Sequence, residues 1–225
     1  MKLLCLFLAL AGGAWPQAAG DVNARYRTRE GRVQVAAGLA NPDRDKTQMP
    51  ESVVTALALK PGMTVADIGT GVGYLLPYLS NAVGPSGKVL AEDVQTDFLD
   101  QAKAKIQAAQ LSNVSLILGE FTDPKLPPAG VDVELVLDVY HHFNYPGPML
   151  AHLRDSLKEG GRLVIVDYYR RRDAMPSNDA LEHIRADQPE VIKEVEAGGF
   201  RLLSRHDHIP NSQYVLIFRK SPAPR

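Results

Sequence analysis

The feature that most constrains the fold is a regular alternation of short apolar segments with amphipathic helical segments. The apolar segments predict strands at Thr64–Ile68, Lys88–Asp93, Val114–Leu118, 134–139 and 162–167. Helices are predicted between them at 74–83, 96–109 and 149–157. Strands that are apolar throughout and joined by helices form a parallel sheet that is covered on both faces.

The C-terminal part departs from this alternation. Residues 181–197 have a helical pattern that Pro189 must interrupt or restart. Two strands follow at 201–206 and 213–218, and the loop between them is too short for a helix, so they form a hairpin. We therefore predict an α/β fold: a Rossmann-like doubly wound sheet, mostly parallel, with a C-terminal antiparallel hairpin strand.

The N-terminal part divides into two segments. Lys2, the apolar run that follows it and the small residues Ala18-Ala19-Gly20 form a secretory signal pattern. We predict a cleaved signal peptide at 1–20, a helical lid at 21–59 with helices at 33–40 and 51–59, and a main domain at 60–220. Cys5, the one cysteine, lies in the signal segment.

The composition limits the kinds of binding partner that we expect. A chain of 225 residues with 45% hydrophobic residues suits a single core. The formal net charge of −1 gives no basic excess, so we expect no nucleic-acid partner. The apolar run at the start is too short to span a bilayer, so we expect no stable membrane span after signal cleavage. The sequence does not indicate an oligomeric state.

A glycine-rich loop follows the first strand, in the run Asp67-Ile68-Gly69-Thr70-Gly71-Val72-Gly73-Tyr74. Glycines let the backbone turn sharply and let a ligand approach closely. The third glycine comes one residue earlier than in the dinucleotide fingerprint G-x-G-x-x-G. A carboxylate at Asp67 would repel a pyrophosphate and attract a cation. The loop therefore predicts a site for a cationic ligand that carries no phosphate.

The later parallel strands also end in acids. Glu92 and Asp93 end the second strand, Glu120 follows the third, and Asp138 follows the fourth. Asp93 comes 24 positions after Gly69, close to the spacing at which an acid meets ribose hydroxyls. Because ligands of such sheets bind at the carboxyl ends of the strands, we expect these acids around one site.

These runs carry a family resemblance. Residues 65–74 resemble motif I of class I S-adenosylmethionine-dependent methyltransferases, and the spacing to 87–93 is similar. The run Leu157-Lys158-Glu159-Gly160-Gly161-Arg162-Leu163 resembles the late L-K-P-G-G-x-L motif, with Glu159 in place of the usual proline. The resemblance covers about residues 50–220 and is specific for the family, not for a substrate.

The resemblance implies S-adenosyl-L-methionine as the cofactor and a role for each matching residue. Asp67 would lie near the amino end, and Asp93 would bind both ribose hydroxyls. Glu120 would reach the adenine amino group, with Phe121 beside the ring. Glu92 should contribute less because it points to the opposite face of its strand. The full cofactor set is Asp67, Gly69, Thr70, Gly71, Gly73, Asp93, Glu120, Phe121 and Asp138.

The run Asp138-Val139-Tyr140-His141-His142-Phe143 carries the candidate catalytic residues. They are Asp138, His141 and His142, since a histidine can accept a proton near neutral pH. Alternatively, the histidines only wall the pocket or cap the next helix. We expect no metal site, because adjacent histidines rarely share one ion and no third ligand is evident. In the lid, Arg44, Gln48 and Met49 are possible cofactor contacts.

The stretch 138–143 is similar to quinone-type and other small-molecule methyltransferases, so we predict an unidentified small-molecule methyl acceptor. Two alternatives stay open. One is a protein isoaspartate-type carboxyl methyltransferase, similar at 71–75 and 83–87 but lacking here its serine-bearing segment before motif I. The other is a non-catalytic nucleoside-binding protein on the same fold. The signal predicts export to the periplasm or medium, or else a membrane tether, although the methyl donor is made in the cytosol.

Overall fold

The computed structural model describes residues 18–20, 22–176 and 179–221. Most of the predicted signal segment and Asp21, the predicted mature N-terminus, lie outside the described residues. The strands are β1 Thr64–Ile68, β2 Lys88–Asp93, β3 Val114–Leu118, β4 Val131–Leu137, β5 Leu157–Tyr168, β6 Phe200–Ile209 and β7 Gln213–Lys220. The α-helices are α1 Arg29–Leu39, α2 Arg44–Gln48, α3 Pro50–Leu57, α4 Leu76–Val83, α5 Thr96–Ala108, α6 Pro146–Ser156, α7 Ala180–His183 and α8 Gln188–Ala197. Two 3₁₀ turns span Ala24–Arg27 and Tyr140–His142.

The strands form one sheet in the order β3-β2-β1-β4-β5-β7-β6. β1 to β5 pair in parallel, and β7 runs antiparallel to both β5 and β6. This confirms the predicted sheet with its reversed hairpin strand. The strand order reverses between β1 and β4, and ligands of such sheets bind at that point, beyond the carboxyl ends of the strands.

The sheet has an apolar core on each face because successive side chains of a strand point to opposite sides. In β5, Leu163 and Ile165 belong to the core that also holds α6 and α8. Val164 and Val166, the residues in between, belong to the core that holds α3 and α4. Both cores are built almost entirely of fully buried side chains, so the central strands are fixed in position and hold the loops at their ends.

Some element boundaries differ from the predictions. β4 begins at Val131 and ends at Leu137, because Val131 pairs with Leu157 across a bulge and thereby extends β5 as well. The predicted helix at 181–197 is two helices, and Pro189 lies in the first turn of the second. A proline tolerates that position since its missing N–H would have no helical partner there.

The N-terminal helices pack on the loops at the carboxyl edge of the sheet. Arg32 in α1 forms an ion pair of 2.7 Å with Asp97 in α5. Ala36 packs in a small apolar cluster with Val72 of the glycine loop and Phe98 of α5. Helix α1 therefore rests on both the loop and α5. Within the described ranges, no helix is long and apolar enough to cross a membrane.

Candidate active site

A cavity of about 460 Å³ opens at the carboxyl ends of β1, β2 and β4, where the strand order reverses. Its lining comes from four stretches of chain, 23–44, 67–75, 92–98 and 137–149, and from Phe121. The predicted loop and most of the predicted acids therefore meet in one place. The volume falls within the range of about 300–1,000 Å³ that is usual for small-ligand sites.

Four N–H groups of the glycine loop, those of Gly69, Thr70, Gly71 and Gly73, have acceptors within the chain. The N–H of Gly69 donates to Glu92 Oε2 at 3.2 Å, and that of Gly71 donates to Asp93 Oδ2 at 2.8 Å. The N–H of Thr70 donates to the carbonyl of Glu92 at 2.7 Å, and that of Gly73 to the carbonyl of Thr70 at 3.0 Å. A pyrophosphate would need those N–H groups, so the loop does not suit a dinucleotide.

The three loop glycines serve different purposes, although all have positive φ. A Cβ at Gly69 would lie 2.7 Å from the side chain of Val139, and one at Gly73 would lie 2.8 Å from Leu76. Gly73 does not line the cavity, and its missing side chain lets the loop pack on α4 and α5; its contact with the cofactor stays a prediction. Gly71 does line the cavity, and a Cβ there would lie 3.0 Å from Leu39 in the N-terminal segment.

Asp67 and Asp93 line the cavity and are almost completely buried. Asp67 accepts a hydrogen bond from the Thr70 hydroxyl at 2.7 Å, and Asp93 accepts from the N–H groups of Gly71 and Gln95 at 2.8 Å each. Burial raises the pKa of each carboxyl to about 6, against the lowering effect of those hydrogen bonds. Both are therefore mostly ionised at neutral pH, and a cation beside them would relieve the cost of their burial.

Asp138 occupies the cavity at the end of β4, in the left-handed backbone region with φ 55°. Its Oδ1 accepts a hydrogen bond from Gln213 at 2.6 Å, and its Oδ2 lies 3.6 Å from the Arg44 guanidinium. Burial raises the pKa of Asp138 to about 7, while Arg44 lowers it. An aspartate tolerates this backbone conformation better than most residues, and such conformations concentrate at functional sites.

Glu92 and Glu120 do not lie where the strand pattern predicted. Glu92 is buried beneath the loop and bonded to Gly69, its Oε1 has no hydrogen-bond partner, and burial raises its pKa well above the usual value. Glu120 does not line the cavity; its exposed side chain pairs with Lys125 at 3.2 Å. Its contact with the adenine amino group stays a prediction, and in this structure its carboxylate faces solvent. Phe121, half exposed, does line the cavity.

The predicted histidine pair is split between the cavity and the interior. His142 lines the cavity, whereas His141 is buried behind it with Nδ1 2.7 Å from Asp167 Oδ1. The structure brings a third histidine, His183 at the end of α7, to within 5.1 and 5.3 Å of the two rings, centroid to centroid. No motif or spacing in the sequence points to His183. Burial, with the neighbouring His141, lowers the pKa of His142 well below its usual value and that of His183 to about 4.

The N-terminal segment contributes contacts that the sequence did not single out. Tyr26, whose pKa burial raises to about 12, has its hydroxyl 3.3 Å from His142 Nε2 and lines the cavity. Arg44 was predicted and lies over the Tyr74 ring, 4.1 Å from its centroid. The other two predicted contacts do not reach the cavity: Gln48 is buried against Gln213, and Met49 is half exposed.

The residues present fit S-adenosylmethionine. The cofactor carries a positive sulfonium and a positive ammonium, and it has no phosphate. The cavity offers the buried carboxylates of Asp67 and Asp93, the partly buried carboxylate of Asp138, and a loop most of whose N–H groups are already engaged. Carboxylates so placed attract a cation and leave few loop N–H groups free for a phosphate.

Comparisons with known proteins agree with this chemistry. A family model described as "Methyltransferase domain" matches residues 59–209. The structure of an S-adenosylmethionine-dependent methyltransferase from Aquifex aeolicus is 30% identical, has a TM-score of 0.76 and covers 82% of this chain and 96% of that one.

Curated relatives match over shorter stretches. A protein-L-isoaspartate O-methyltransferase from Methanothrix thermoacetophila is 31% identical over 48% of this chain and 49% of its own length. A demethylmenaquinone methyltransferase from Lactococcus lactis is 32% identical over 47% of this chain and 42% of its own length. The chain thus spans about half or less of these relatives, whose names, together with tRNA methyltransferases, cover protein, RNA and quinone substrates. On the family match and the geometry together, the chain belongs to the S-adenosylmethionine-dependent methyltransferases.

Proposed function

We propose that this methyltransferase transfers the methyl group to a small organic acceptor. The observation that carries the proposal is the closed acceptor side of the cavity. Asn23 donates hydrogen bonds to the carbonyl of His142 at 2.8 Å and to Asn144 Oδ1 at 3.2 Å, and the Tyr26 ring packs on His142 with centroids 4.9 Å apart. Because these contacts hold this wall of the cavity in place, we expect an acceptor that is small enough to enter the cavity completely. A single residue of a macromolecule would fit less well.

The lining supports an acceptor that is largely apolar. Leu137, Phe143 and Met149 contribute apolar surface to the cavity. Pockets for small molecules combine such surface with a few polar groups that fix orientation. Here Asn144 and His142 are suited to orient the acceptor. An aromatic or other apolar molecule with one polar substituent fits this lining best.

Asp138 and His142 are the residues that we propose touch the acceptor. The bound cofactor supplies a methyl group that is already activated on sulfur, so the protein mainly aligns the acceptor and excludes water. Asp138 lines the cavity, and its pKa of about 7 suits a group that takes a proton near neutral pH. His141 does not reach the cavity, so its proposed role is to position its neighbour.

The second candidate is methyl transfer to a protein carboxyl group, which the similarity to the isoaspartate methyltransferase favours. A peptide would have to enter beneath segment 22–49, against the hydrogen bonds of Asn23. A nucleic-acid acceptor is disfavoured by the net charge of −1.

Labelled methyl donor separates these candidates. The protein is incubated with methyl-labelled S-adenosylmethionine and a cell extract, which is then divided into small molecules, protein and RNA. We expect label in the small-molecule fraction with the native protein and none with Gly71→Val, which should not bind the cofactor. Label mainly in protein or RNA would overturn the small-molecule proposal.

We also propose that the chain is exported by a cleaved signal peptide. The support is the charged start, the short apolar run and the small residues ending at Gly20. Cleavage there would remove two contacts, since the N–H of Ala18 donates to the carbonyl of Asn144 at 2.8 Å and Arg27 donates to the carbonyl of Gly20 at 2.6 Å. N-terminal sequencing of the fractionated native protein tests this. We expect a start at Asp21 outside the cytoplasm; an intact Met1 on cytosolic protein would contradict export.

A further inference from the structure

Three histidine rings converge beside the cavity. His141 and His142 come from the 3₁₀ turn after β4, and their ring centroids are 4.1 Å apart. His183 comes from the end of α7 and contacts both. Each ring offers one nitrogen such that the three atoms lie within 4.8 Å of one another.

The second nitrogen of His141 is held by a carboxylate. Nδ1 of His141 lies 2.7 Å from Asp167 Oδ1, and the main-chain N–H of His141 donates to Asp167 Oδ2 at 3.0 Å. Both side chains are almost completely buried. A carboxylate that accepts from Nδ1 leaves the lone pair on Nε2, and this pairing is typical of metal-bound histidines.

The second nitrogen of His142 is held by an amide. Nδ1 of His142 lies 2.8 Å from Asn23 Oδ1. The amide nitrogen of Asn23 donates to the carbonyl of His142 and to Asn144, so its oxygen must face the ring and accept from Nδ1–H. The lone pair of His142 is therefore on Nε2, like that of His141. Two of the three rings are thus held in the tautomer that a metal ion needs.

We infer that His141, His142 and His183 form a binding site for a divalent transition-metal ion, with Asp167 and Asn23 orienting two of the ligands. Three imidazoles suit zinc and its first-row neighbours. A site with three protein ligands leaves a further coordination position open, as in catalytic zinc sites. The expectation of no metal rested on two premises, that adjacent histidines rarely share one ion and that no third ligand is evident. The rings of His141 and His142 nevertheless lie together, 4.1 Å apart, and His183 supplies the third ligand.

The site adjoins the cavity through His142, which lines it, and through the Tyr26 hydroxyl, which lies 3.3 Å from His142 Nε2. The ion would therefore lie on the acceptor side and away from the glycine loop. If the proposed function holds, an ion held by these residues would suit an acceptor with an anionic oxygen or sulfur. Metal binding itself does not depend on that function.

The test uses the full chain without an affinity tag, stripped of metal. Competition with a chromophoric chelator measures zinc affinity, and the visible absorption of cobalt(II) reports the ligand geometry. We expect one ion per chain with the spectrum of a four-coordinate site. His183→Ala should lose this stoichiometric binding, and Asp167→Asn should weaken it about 10- to 100-fold. His152→Ala is the matched control, since His152 is half exposed outside the cluster and should leave binding unchanged.

Circular dichroism and S-adenosylhomocysteine affinity keep the test interpretable. We expect His183→Ala to remain folded and to bind S-adenosylhomocysteine as the native chain does, because His183 does not line the cavity. Native-like zinc affinity in folded His183→Ala, or no stoichiometric zinc binding by the native chain, would overturn the metal site. If the native chain did not bind S-adenosylhomocysteine, that result would instead count against the proposed function. Should Asp167→Asn unfold, His183→Ala alone still decides.

Discussion

The cavity has two walls that are assembled differently along the chain. We call the glycine loop with Asp93 the cofactor wall, and Asn23, Tyr26, His142 and Asn144 the acceptor wall. On the cofactor wall, the hydrogen bonds that shape the glycine loop join residues 22 and 23 positions apart, Gly71 to Asp93 and Gly69 to Glu92. On the acceptor wall, Asn23 bonds to His142 across 119 positions. The cofactor wall is thus formed by residues from two strands that are neighbours in sequence. The acceptor wall forms only when segments that are distant in sequence pack together. Variants on each wall should separate cofactor binding from acceptor chemistry.

The largest effect is expected for Gly71→Val on the cofactor wall. The residue has a φ of 57°, which a β-branched side chain rarely adopts, and its Cβ would lie 3.0 Å from Leu39. We expect S-adenosylhomocysteine binding to be lost while the fold survives, as measured by calorimetry and circular dichroism. Gly147→Val is the control, since nothing lies within 4 Å of a Cβ there. Native-like affinity of Gly71→Val for S-adenosylhomocysteine would mean that the loop is only a structural turn and does not bind the cofactor.

Asp93→Asn should have the next largest effect. It removes a buried charge that accepts two main-chain hydrogen bonds at the cavity. We expect the binding free energy of S-adenosylmethionine to weaken by about 1.5–3 kcal/mol, the usual range for hydrogen bonds to a charged group. Glu120→Ala is the control and should change affinity little, because its carboxylate is exposed and pairs with Lys125. Equal losses of cofactor affinity in the two variants would indicate that Glu120 also contacts the cofactor.

Lowering the pH should weaken cofactor binding. In the free protein, Asp67 and Asp93 have pKa values raised to about 6. Both are ionised above that pH and protonated below it, so the attraction for a cation falls as the pH drops through 6. Between pH 7 and 5 we expect about a tenfold loss of affinity for each carboxylate involved. Calorimetry at several pH values should show a flatter profile for Asp93→Asn; a flat profile in the native chain would contradict this reasoning.

The smallest effect on cofactor affinity is expected for Asn23→Ala on the acceptor wall. The substitution removes the hydrogen bonds that Asn23 makes to the carbonyl of His142, to Asn144 Oδ1 and to His142 Nδ1. We expect a loss in unfolding free energy of about 1–3 kcal/mol, the cost of unsatisfied buried groups, and reduced acceptor methylation. Calorimetry should show nearly native S-adenosylhomocysteine affinity. A loss as large as that of Asp93→Asn would mean that the two walls are not separable.

The sequence predicted the parts that depend on local pattern. Parallel strands, the reversed β7 and the acids Asp67, Asp93 and Asp138 all follow from periodicity and strand ends. Glu92 was assigned less weight because alternation directs it away from Asp93. It nevertheless lies beneath the loop because Gly119 leaves room: a Cβ there would lie 1.8 Å from Glu92 Oε1.

The acceptor wall could not be predicted in the same way. Asn23 and His183 lie in short turns and helix ends without a periodic pattern, and they reach His142 only through tertiary packing. No spacing rule joins a residue before the first strand to one after the fourth. Likewise, nothing in the sequence around His183 indicates that its ring contacts those of His141 and His142.

The hydrogen bonds of the glycine loop have a consequence for the entropy of association. Because Glu92, Asp93 and Thr70 already hold the loop amides, the loop needs no ligand to fix its conformation. A preorganised site loses little conformational entropy when it is filled. The loop amides should therefore already be protected from hydrogen exchange in the free protein, and cofactor binding should change their exchange little.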